Sequence, residues 1–293
     1  MLMPELTRTD LAVNGVNIRV AQGGNPAGPP LLLLHGHPQT HAIWHRVAPR
    51  LAQRFRLVAT DLRGYGDSAK PAGLPDHSNY SKRTMAQDQV EVMRALGFER
   101  FLLCAHDRGA RVAHRLCLDH PGAVEKAVFL DIAPTLAMYE QTTMEFARSY
   151  WHWFFLIQPQ PLPEHLLEAD PEFYVRRVMS RTPRGLEMFD PAALAEYLRT
   201  ARLPGTLHAV CEDYRASAGI DLEHDRADRA AGRKVKCELR VFWGANGVIG
   251  RCFDPLALWR AYADRFEGRA LPCGHYIAEE APDLLLQELL DFF

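Results

Sequence analysis

The stretch that decides the fold runs from residue 101 to residue 109 and reads FLLCAHDRG. Its apolar part, 101–105, has the length and composition of a strand that is buried on both faces of a parallel sheet. It leads into Asp107, which is flanked by the small residues Ala105 and Gly109. Small flanking residues allow a strand to turn sharply into a helix, so that the central side chain enters the crevice at the carboxyl edge of the sheet. The pattern therefore predicts that Asp107 is a reactive group; the alternative is an ordinary N-cap of the following helix.

Short apolar runs on both sides of this stretch predict the rest of the sheet. A hairpin comes first, because Asn14-Gly15 separates two segments with alternating apolar residues, 11–13 and 16–20. Helical patterns at 83–96 and 111–118 lie between later strands, and this alternation is typical of an α/β fold with right-handed crossovers. The other predicted strands are 31–34, 55–60, 127–130, 239–243 and, with a weaker signal, 269–271. We therefore expect a mostly parallel eight-stranded sheet that is flanked by helices.

The composition excludes several classes of protein. The chain has 293 residues, of which 47% are hydrophobic and 24% charged, and its formal net charge is −2. A disordered chain and a nucleic-acid-binding protein are both excluded, since the first needs fewer apolar residues and the second a basic excess. The six cysteines form no C-x-x-C pair, so we expect no metal site and no disulfide framework. The first residues carry no apolar signal segment and no run is long enough to span a bilayer, which predicts a cytoplasmic protein without a membrane partner.

One long segment interrupts the alternation of strands and helices. Residues 135–231 show no buried strand and are rich in aromatic residues, leucine, arginine and proline. We interpret this segment as a helical cap that is inserted over the carboxyl edge of the sheet, and we refer to it below as the cap. The predicted α/β core then consists of residues 1–134 and 232–293.

Two further loops follow predicted strands at the same edge as Asp107. His37 follows the strand 31–34, where its backbone N–H, together with that of Arg108, would form an oxyanion hole. His275 follows the last strand, in the position expected for a catalytic base. The order of these residues along the chain predicts a catalytic site rather than isolated structural histidines.

The acid that orients His275 is less obvious from the sequence. The loop after the penultimate strand offers Asn246 and no carboxylate, whereas Asp131 stands at the end of the strand before it. We therefore assign Asp131 as the group that orients His275 and stabilises its imidazolium form. The alternatives are that Asp131 merely caps the turn before Pro134, or that Asp254 is the acid.

An aspartate nucleophile restricts the reaction. Attack of a carboxylate on an ester would give only an anhydride, but attack on a saturated carbon expels a leaving group and forms an ester on the enzyme. His275 would then activate a water molecule that hydrolyses this ester. The predicted electrophile is an alkyl halide or an epoxide.

The residues after the nucleophile indicate an anionic substrate. Arg108 and Arg111 lie three positions apart at the start of the predicted helix, and two guanidinium groups at a helix N-terminus suit a carboxylate. The alternative is that one or both form internal ion pairs. A small 2-haloacid is therefore the predicted substrate.

Four motifs carry a resemblance that covers nearly the whole chain. They are HDRGAR (106–111), YWHWFF (150–155), CEDYR (211–215) and GHY (274–276). With them the sequence resembles the fluoroacetate dehalogenases of the α/β-hydrolase superfamily. The resemblance implies an α/β-hydrolase fold with an inserted helical cap, no cofactor and no metal, and a homodimer.

The resemblance also implies a role for each motif. Asp107, Asp131 and His275 would form the catalytic triad, and Arg108 with Arg111 would hold the substrate carboxylate. His152, Trp153 and Tyr214 of the cap would hold the halogen, and their N–H and O–H groups are suitable donors to a departing halide. The expected reaction converts fluoroacetate and water to glycolate, fluoride and a proton.

Two competing functions remain open from the sequence alone. An epoxide hydrolase would use the same nucleophile and would protonate the opening oxygen from a cap tyrosine such as Tyr214. A non-catalytic binding protein of the same fold is the other alternative, although all three triad positions are occupied.

Overall fold

The central sheet of the computed structural model, which describes residues 2–182 and 184–293, has eight strands. Their spatial order is β1-β2-β4-β3-β5-β6-β7-β8. Strand β2 pairs antiparallel with β1 and β4, and every other pair is parallel. The strands are β1 (Leu6–Val13), β2 (Val16–Gly24), β3 (Pro30–Leu34), β4 (Arg56–Thr60), β5 (Phe101–His106), β6 (Val124–Leu130), β7 (Glu238–Gly244) and β8 (Phe266–Leu271). The prediction of a mostly parallel eight-stranded sheet is confirmed.

The helices fall into two groups. Those of the predicted core are α1 (Ala48–Leu51), α2 (Lys82–Ala95), α3 (Asp107–Asp119), α12 (Val248–Cys252), α13 (Pro255–Trp259), α14 (Ile277–Glu280) and α15 (Pro282–Phe292). Those of the cap are α4 (Thr135–Glu140), α5 (Met144–Ser149), α6 (Trp151–Phe155), α7 (Leu162–Ala169), α8 (Pro171–Met179), α9 (Pro191–Ala201), α10 (Thr206–Ala218) and α11 (Ile220–Ala230). Short 3₁₀ turns cover His41–Arg46, Ser78–Tyr80 and Gly185–Met188.

The inner strands are buried on both faces. In β3, Leu32 and Leu34 belong to the apolar core on one face of the sheet, whereas Leu31 and Leu33 belong to the core on the other. This double burial explains why the strand is a continuous apolar run rather than an alternating one.

Strand β2 ends at Gly24 rather than at residue 20, strand β6 begins at Val124 rather than at residue 127, and two edge strands also differ from their predicted bounds. Strand β1 begins at Leu6 rather than at residue 11, and strand β8 begins at Phe266 rather than at 269. Both lie at the edges of the sheet, where many side chains are exposed. Exposed edge strands need few apolar residues, so the sequence signal is weak there.

The described part of the cap contains helices and no strand, as predicted. The residue numbers of the division between core and cap stay a prediction. No helix among the described residues is both long enough and apolar enough to cross a membrane.

The topology brings the predicted site residues to one edge of the sheet. Because neighbouring parallel strands run in the same direction, the residues that follow β3, β5, β6 and β8 meet at their carboxyl ends. His37, Asp107, Asp131 and His275 are four such residues.

Candidate active site

Asp107 sits on a sharp turn between β5 and α3. Its φ of +47° lies in the left-handed region, which is unusual for a residue other than glycine. The close approach requires small neighbours: a Cβ on Gly36 would lie 2.4 Å from the Cβ of Asp107, and one on Gly109 would lie 2.3 Å from the carbonyl oxygen of His35. The N-cap of α3 is His106, and the Asp107 carboxylate accepts from the backbone N–H of His37 on another loop, so the alternative interpretation of Asp107 as an ordinary N-cap is wrong.

The three predicted triad side chains lie together. The Nδ1–H of His275 donates a hydrogen bond to Oδ2 of Asp131 at 2.5 Å, which leaves the lone pair of Nε2 on the side of Asp107. Nε2 lies 3.9 Å from Oδ2 of Asp107, which is too long for a hydrogen bond. This arrangement leaves Oδ2 of Asp107 without a bond to the base, so the carboxylate can attack an electrophile while His275 keeps its lone pair for water.

Asp131 is itself held in place. It follows β6 with a φ of +52°, and its other carboxylate oxygen accepts a hydrogen bond at 2.9 Å from the backbone N–H of Gly244. The alternative acid, Asp254, accepts instead from the backbone N–H of Ala257 at the start of α13. Asp131 is therefore the carboxylate that orients His275.

The predicted oxyanion donor also contacts the nucleophile. The backbone N–H of His37 donates to Oδ1 of Asp107 at 2.9 Å. Arg108 lies in the first turn of α3, where helical N–H groups lack an intrahelical partner. One carboxylate oxygen of Asp107 thus faces a backbone donor, while the other faces His275.

Two guanidinium groups and two imidazoles lie near Asp107. Burial alone would raise the pKa of its carboxyl, but His275, His106, Arg111 and Arg108 together lower it below the ordinary value. The nucleophile is therefore ionised at neutral pH and needs no base for its attack.

Arg108 and Arg111 differ in their partners. Arg108 is fully buried, and its Nε donates to Oδ2 of Asp213 at 2.7 Å. Within the described ranges, Arg111 donates only to the carbonyl oxygen of Ala133, to the hydroxyl of Thr135 and to the sulfur of Met138. Arg108 thus forms the internal ion pair that the alternative interpretation allowed for, with Asp213, while the binding of a carboxylate by the two arginines stays a prediction.

Both arginines still offer donors to a ligand. The Nη1 of Arg108 and the Nε of Arg111 are buried and have no hydrogen-bond partner among the described residues. Arg111, unlike Arg108, also forms no ion pair with a carboxylate of the described residues. A bound anion would therefore balance the charge of Arg111.

The three cap donors lie against these arginines. The Cζ of Arg108 lies 4.1 Å from the centre of the Tyr214 ring, and the Cζ of Arg111 lies 4.5 Å from the centre of the Trp153 ring. The His152 ring is 5.9 Å from that of Tyr214. The cap residues that were singled out from the sequence are thus adjacent to the nucleophile helix α3.

The polar atoms of these cap residues are buried without an acceptor. His152 Nδ1, Trp153 Nε1 and the Tyr214 hydroxyl have no hydrogen-bond partner among the described residues. Burial lowers the pKa of His152 well below its ordinary value and raises that of Tyr214, so the imidazole is neutral and the phenol keeps its proton. Unsatisfied buried donors are costly in folded proteins, and these three offer hydrogen bonds to a ligand at one place beside the nucleophile helix.

Comparison with known proteins agrees with this geometry. The family model described as "alpha/beta hydrolase fold" matches residues 29–282. The chain belongs to this family. The hydrolase is 46% identical to a fluoroacetate dehalogenase from Burkholderia sp., over 96% of this chain and 91% of the other. It is 32% identical to a soluble epoxide hydrolase from Corynebacterium sp. (strain C12), over 99% and 98% of the two chains.

A solved structure gives the same result for the fold. The crystal structure of an alpha/beta hydrolase from Nostoc sp. PCC 7120 matches with a TM-score of 0.96 and 53% identity, and the match covers 100% of this hydrolase and 99% of that chain. The predicted fold class is confirmed.

Several supporting residues of the hydrolase were not found from the sequence. Asp213 lies within the quoted motif 211–215, but nothing in the sequence indicated that it would pair with Arg108, which is 105 residues away. Lys82 contacts the same carboxylate, and the Tyr65 hydroxyl donates to it at 2.6 Å. His106, directly before the nucleophile, donates from Nε2 to the backbone oxygen of His275 at 2.9 Å.

Proposed function

We propose that this hydrolase removes the halogen from short 2-haloacids, with fluoroacetate as the main expected substrate. The observation that carries the proposal is the set of buried, unpartnered donors on His152, Trp153 and Tyr214 next to the nucleophile helix. The similarity to a fluoroacetate dehalogenase supports the same conclusion.

The carboxylate of the substrate would lie against Arg111 and the free Nη1 of Arg108. The charge of Arg108 is already balanced by Asp213, whereas that of Arg111 is not. A substrate carboxylate therefore gains most from Arg111, and Arg108 adds a directed hydrogen bond.

The first chemical step forms an ester on the enzyme. Oδ2 of Asp107 attacks the carbon that carries the halogen, the new C–O bond forms as the carbon–halogen bond breaks, and the halide leaves with the bonding electrons. Fluoride is a poor leaving group, so donors that are placed where its negative charge develops lower the barrier. The N–H and O–H groups of the three cap residues would supply those donors.

The second step regenerates the nucleophile. Nε2 of His275 takes a proton from water, and the resulting hydroxide adds to the ester carbonyl of Asp107. The backbone N–H of His37 would stabilise the carbonyl oxygen as it becomes negative. Collapse breaks the ester bond, and the departing alkoxide takes the proton from the imidazolium of His275, which Asp131 has stabilised, and leaves as glycolate. The new carboxyl of Asp107 then releases the second proton of the water to solvent.

The test is halide release. A fluoride electrode should detect stoichiometric fluoride from fluoroacetate, and chloride should be released from chloroacetate. The variant Asp107→Asn should release neither, because a neutral amide cannot act as the nucleophile. Absence of halide release from both substrates with the unmodified enzyme would refute the proposal.

Epoxide hydrolysis is the second candidate, because the protonated Tyr214 could donate to an opening epoxide oxygen and because one relative bears the name soluble epoxide hydrolase. A neutral epoxide would leave the charge of Arg111 unbalanced. Diol formation from an epoxide panel without halide release from haloacids would favour this candidate. The expected homodimer stays a prediction, which light scattering would test.

A further inference from the structure

A cavity of about 230 Å³ opens between cap and core on the side of His275. Tyr150, Tyr276 and His275 itself line it. The side chain of His275 is 14% exposed, compared with 5% for Asp107 and 0% for Asp131. Solvent therefore reaches the triad from this side.

Four arginines surround this cavity: Arg148, Arg177, Arg181 and Arg251, which we call the mouth arginines. No aspartate or glutamate is among the described residues that line it. The mouth is thus strongly positive, although the whole chain has a formal net charge of −2.

Most of this positive charge is not balanced by ion pairs. Arg251 pairs with Glu145 at 2.6 Å. Arg181 donates to the backbone oxygens of Val178 and Ser149, and its Cζ lies 5.1 Å from the centre of the Tyr150 ring. Arg148 and Arg177 are exposed and form no ion pair with any described carboxylate.

The positive charge at the mouth also acts on one of the cap donors, His152. The positive charge of Arg181 contributes, after burial, to the lowered pKa of His152. A cleft that is lined by one sign of charge and bounded by low-dielectric walls raises the local concentration of oppositely charged ligands.

We infer that the mouth arginines form an access vestibule that concentrates small carboxylates outside the catalytic pocket. This inference rests on the proposed function, because it assigns the anionic haloacid as the molecule that passes through. The small volume of the cavity and its contact with His275 favour a small anion over a polymer.

The kinetic test compares two double variants. Arg148→Gln with Arg177→Gln removes two mouth charges, and Arg50→Gln with Arg226→Gln removes two exposed charges that do not line the cavity. Low ionic strength, about 10 mM, leaves a Debye length of roughly 30 Å, so the mouth charges act at full strength. There the mouth variant should raise KM for fluoroacetate about four-fold, because one unit charge at a separation of about 10 Å in water attracts an anion by about two-fold, and two such charges are removed. The kcat should stay unchanged, and the control variant should match the unmodified enzyme.

A second readout needs no turnover. Trp151 is half-buried and lines the cavity, so iodide, an anionic quencher, should quench its fluorescence more strongly than the neutral quencher acrylamide. The mouth variant should lose this excess for iodide and keep the response to acrylamide. The variant Trp151→Phe should lose the excess as well, which identifies the reporting residue.

The two readouts separate the inference from the proposed function. Excess iodide quenching that depends on Arg148 and Arg177 supports the vestibule even if no haloacid is hydrolysed, in which case the proposed function fails. Equal effects of the mouth and control variants, or iodide quenching that neither variant changes, would overturn the vestibule even if fluoride is released.

Discussion

Asp213 holds two buried cations, and its replacement by asparagine removes the charge with almost no change in shape. In the structure its carboxylate accepts from Nε of Arg108 at 2.7 Å and also contacts Lys82. After Asp213→Asn, the nearest remaining carboxylate for Lys82 is Asp221, whose Oδ2 lies 3.6 Å from its nitrogen. Removal of one partner from a buried ion pair typically costs about 3–5 kcal/mol of unfolding free energy. We expect a loss of that size.

The assay is urea unfolding at equilibrium, with a matched control. Asp264 pairs with Lys236 at the same distance, 2.7 Å, but both side chains are exposed. Asp264→Asn should therefore leave the unfolding midpoint nearly unchanged. If both variants lost the same stability, or if Asp213→Asn lost less than about 1 kcal/mol, the buried charges would not be coupled as the structure indicates.

The loss should also depend on pH in a defined direction. Burial, followed by the charge of Arg108, already lowers the pKa of Lys82 below its ordinary value of 10.5. Loss of the Asp213 charge lowers this pKa further in the folded state, while the unfolded state keeps the ordinary value. The folded protein therefore resists protonation of Lys82, and the penalty is present at neutral pH and declines as pH rises towards 10.5. A stability difference that widens between pH 7 and pH 10 would contradict this reasoning.

Three further changes test individual groups of the site. Arg111→Leu should lower kcat/KM for chloroacetate by roughly 30-fold or more, because a buried charge partner of the substrate is lost; steady-state kinetics that show no loss would make Arg111 structural. Trp153→Phe keeps a ring beneath Arg111 but removes the N–H, so kcat for fluoroacetate should fall by about a hundred-fold with an unchanged melting temperature. A melting temperature that falls together with kcat would instead indicate a packing defect. His275→Asn should stop the reaction at the ester on Asp107, visible as a carboxymethyl adduct by intact mass spectrometry. In the unmodified enzyme the pKa of Asp107 lies below its ordinary value, so the pre-steady-state rate of adduct formation should be constant from pH 6 to pH 9, and a steep rise with pH would show that Asp107 requires deprotonation.

The catalytic framework could be predicted from the sequence because each element leaves a local signal. Small residues around Asp107 mark the sharp turn, and the position of His275 after the last strand marks the base. Asp131 could be chosen over Asn246 because only one of them is a carboxylate at a strand end. These inferences needed the order of elements along the chain rather than any long-range contact.

Long-range contacts explain what the sequence did not reveal. The pairing of Arg108 with Asp213 depends on how α10 of the cap packs on α3, and no local pattern encodes this. The difference between Arg108 and Arg111 was therefore missed. The mouth arginines were missed for the same reason, since Arg148, Arg177 and Arg251 come from separate helices or their ends. The bounds of β1 and β8 were wrong because exposed edge strands carry few apolar residues.

The most direct test of nucleophilic attack by Asp107 is a single turnover of fluoroacetate in water that is enriched in the heavy isotope of oxygen, with enzyme in excess. If Asp107 attacks carbon and water then attacks the ester carbonyl, the first glycolate released contains no heavy oxygen, and the label appears in the peptide that contains Asp107. Labelled glycolate in the first turnover, with an unlabelled Asp107 peptide, would mean that water attacks the substrate directly and would contradict the central claim.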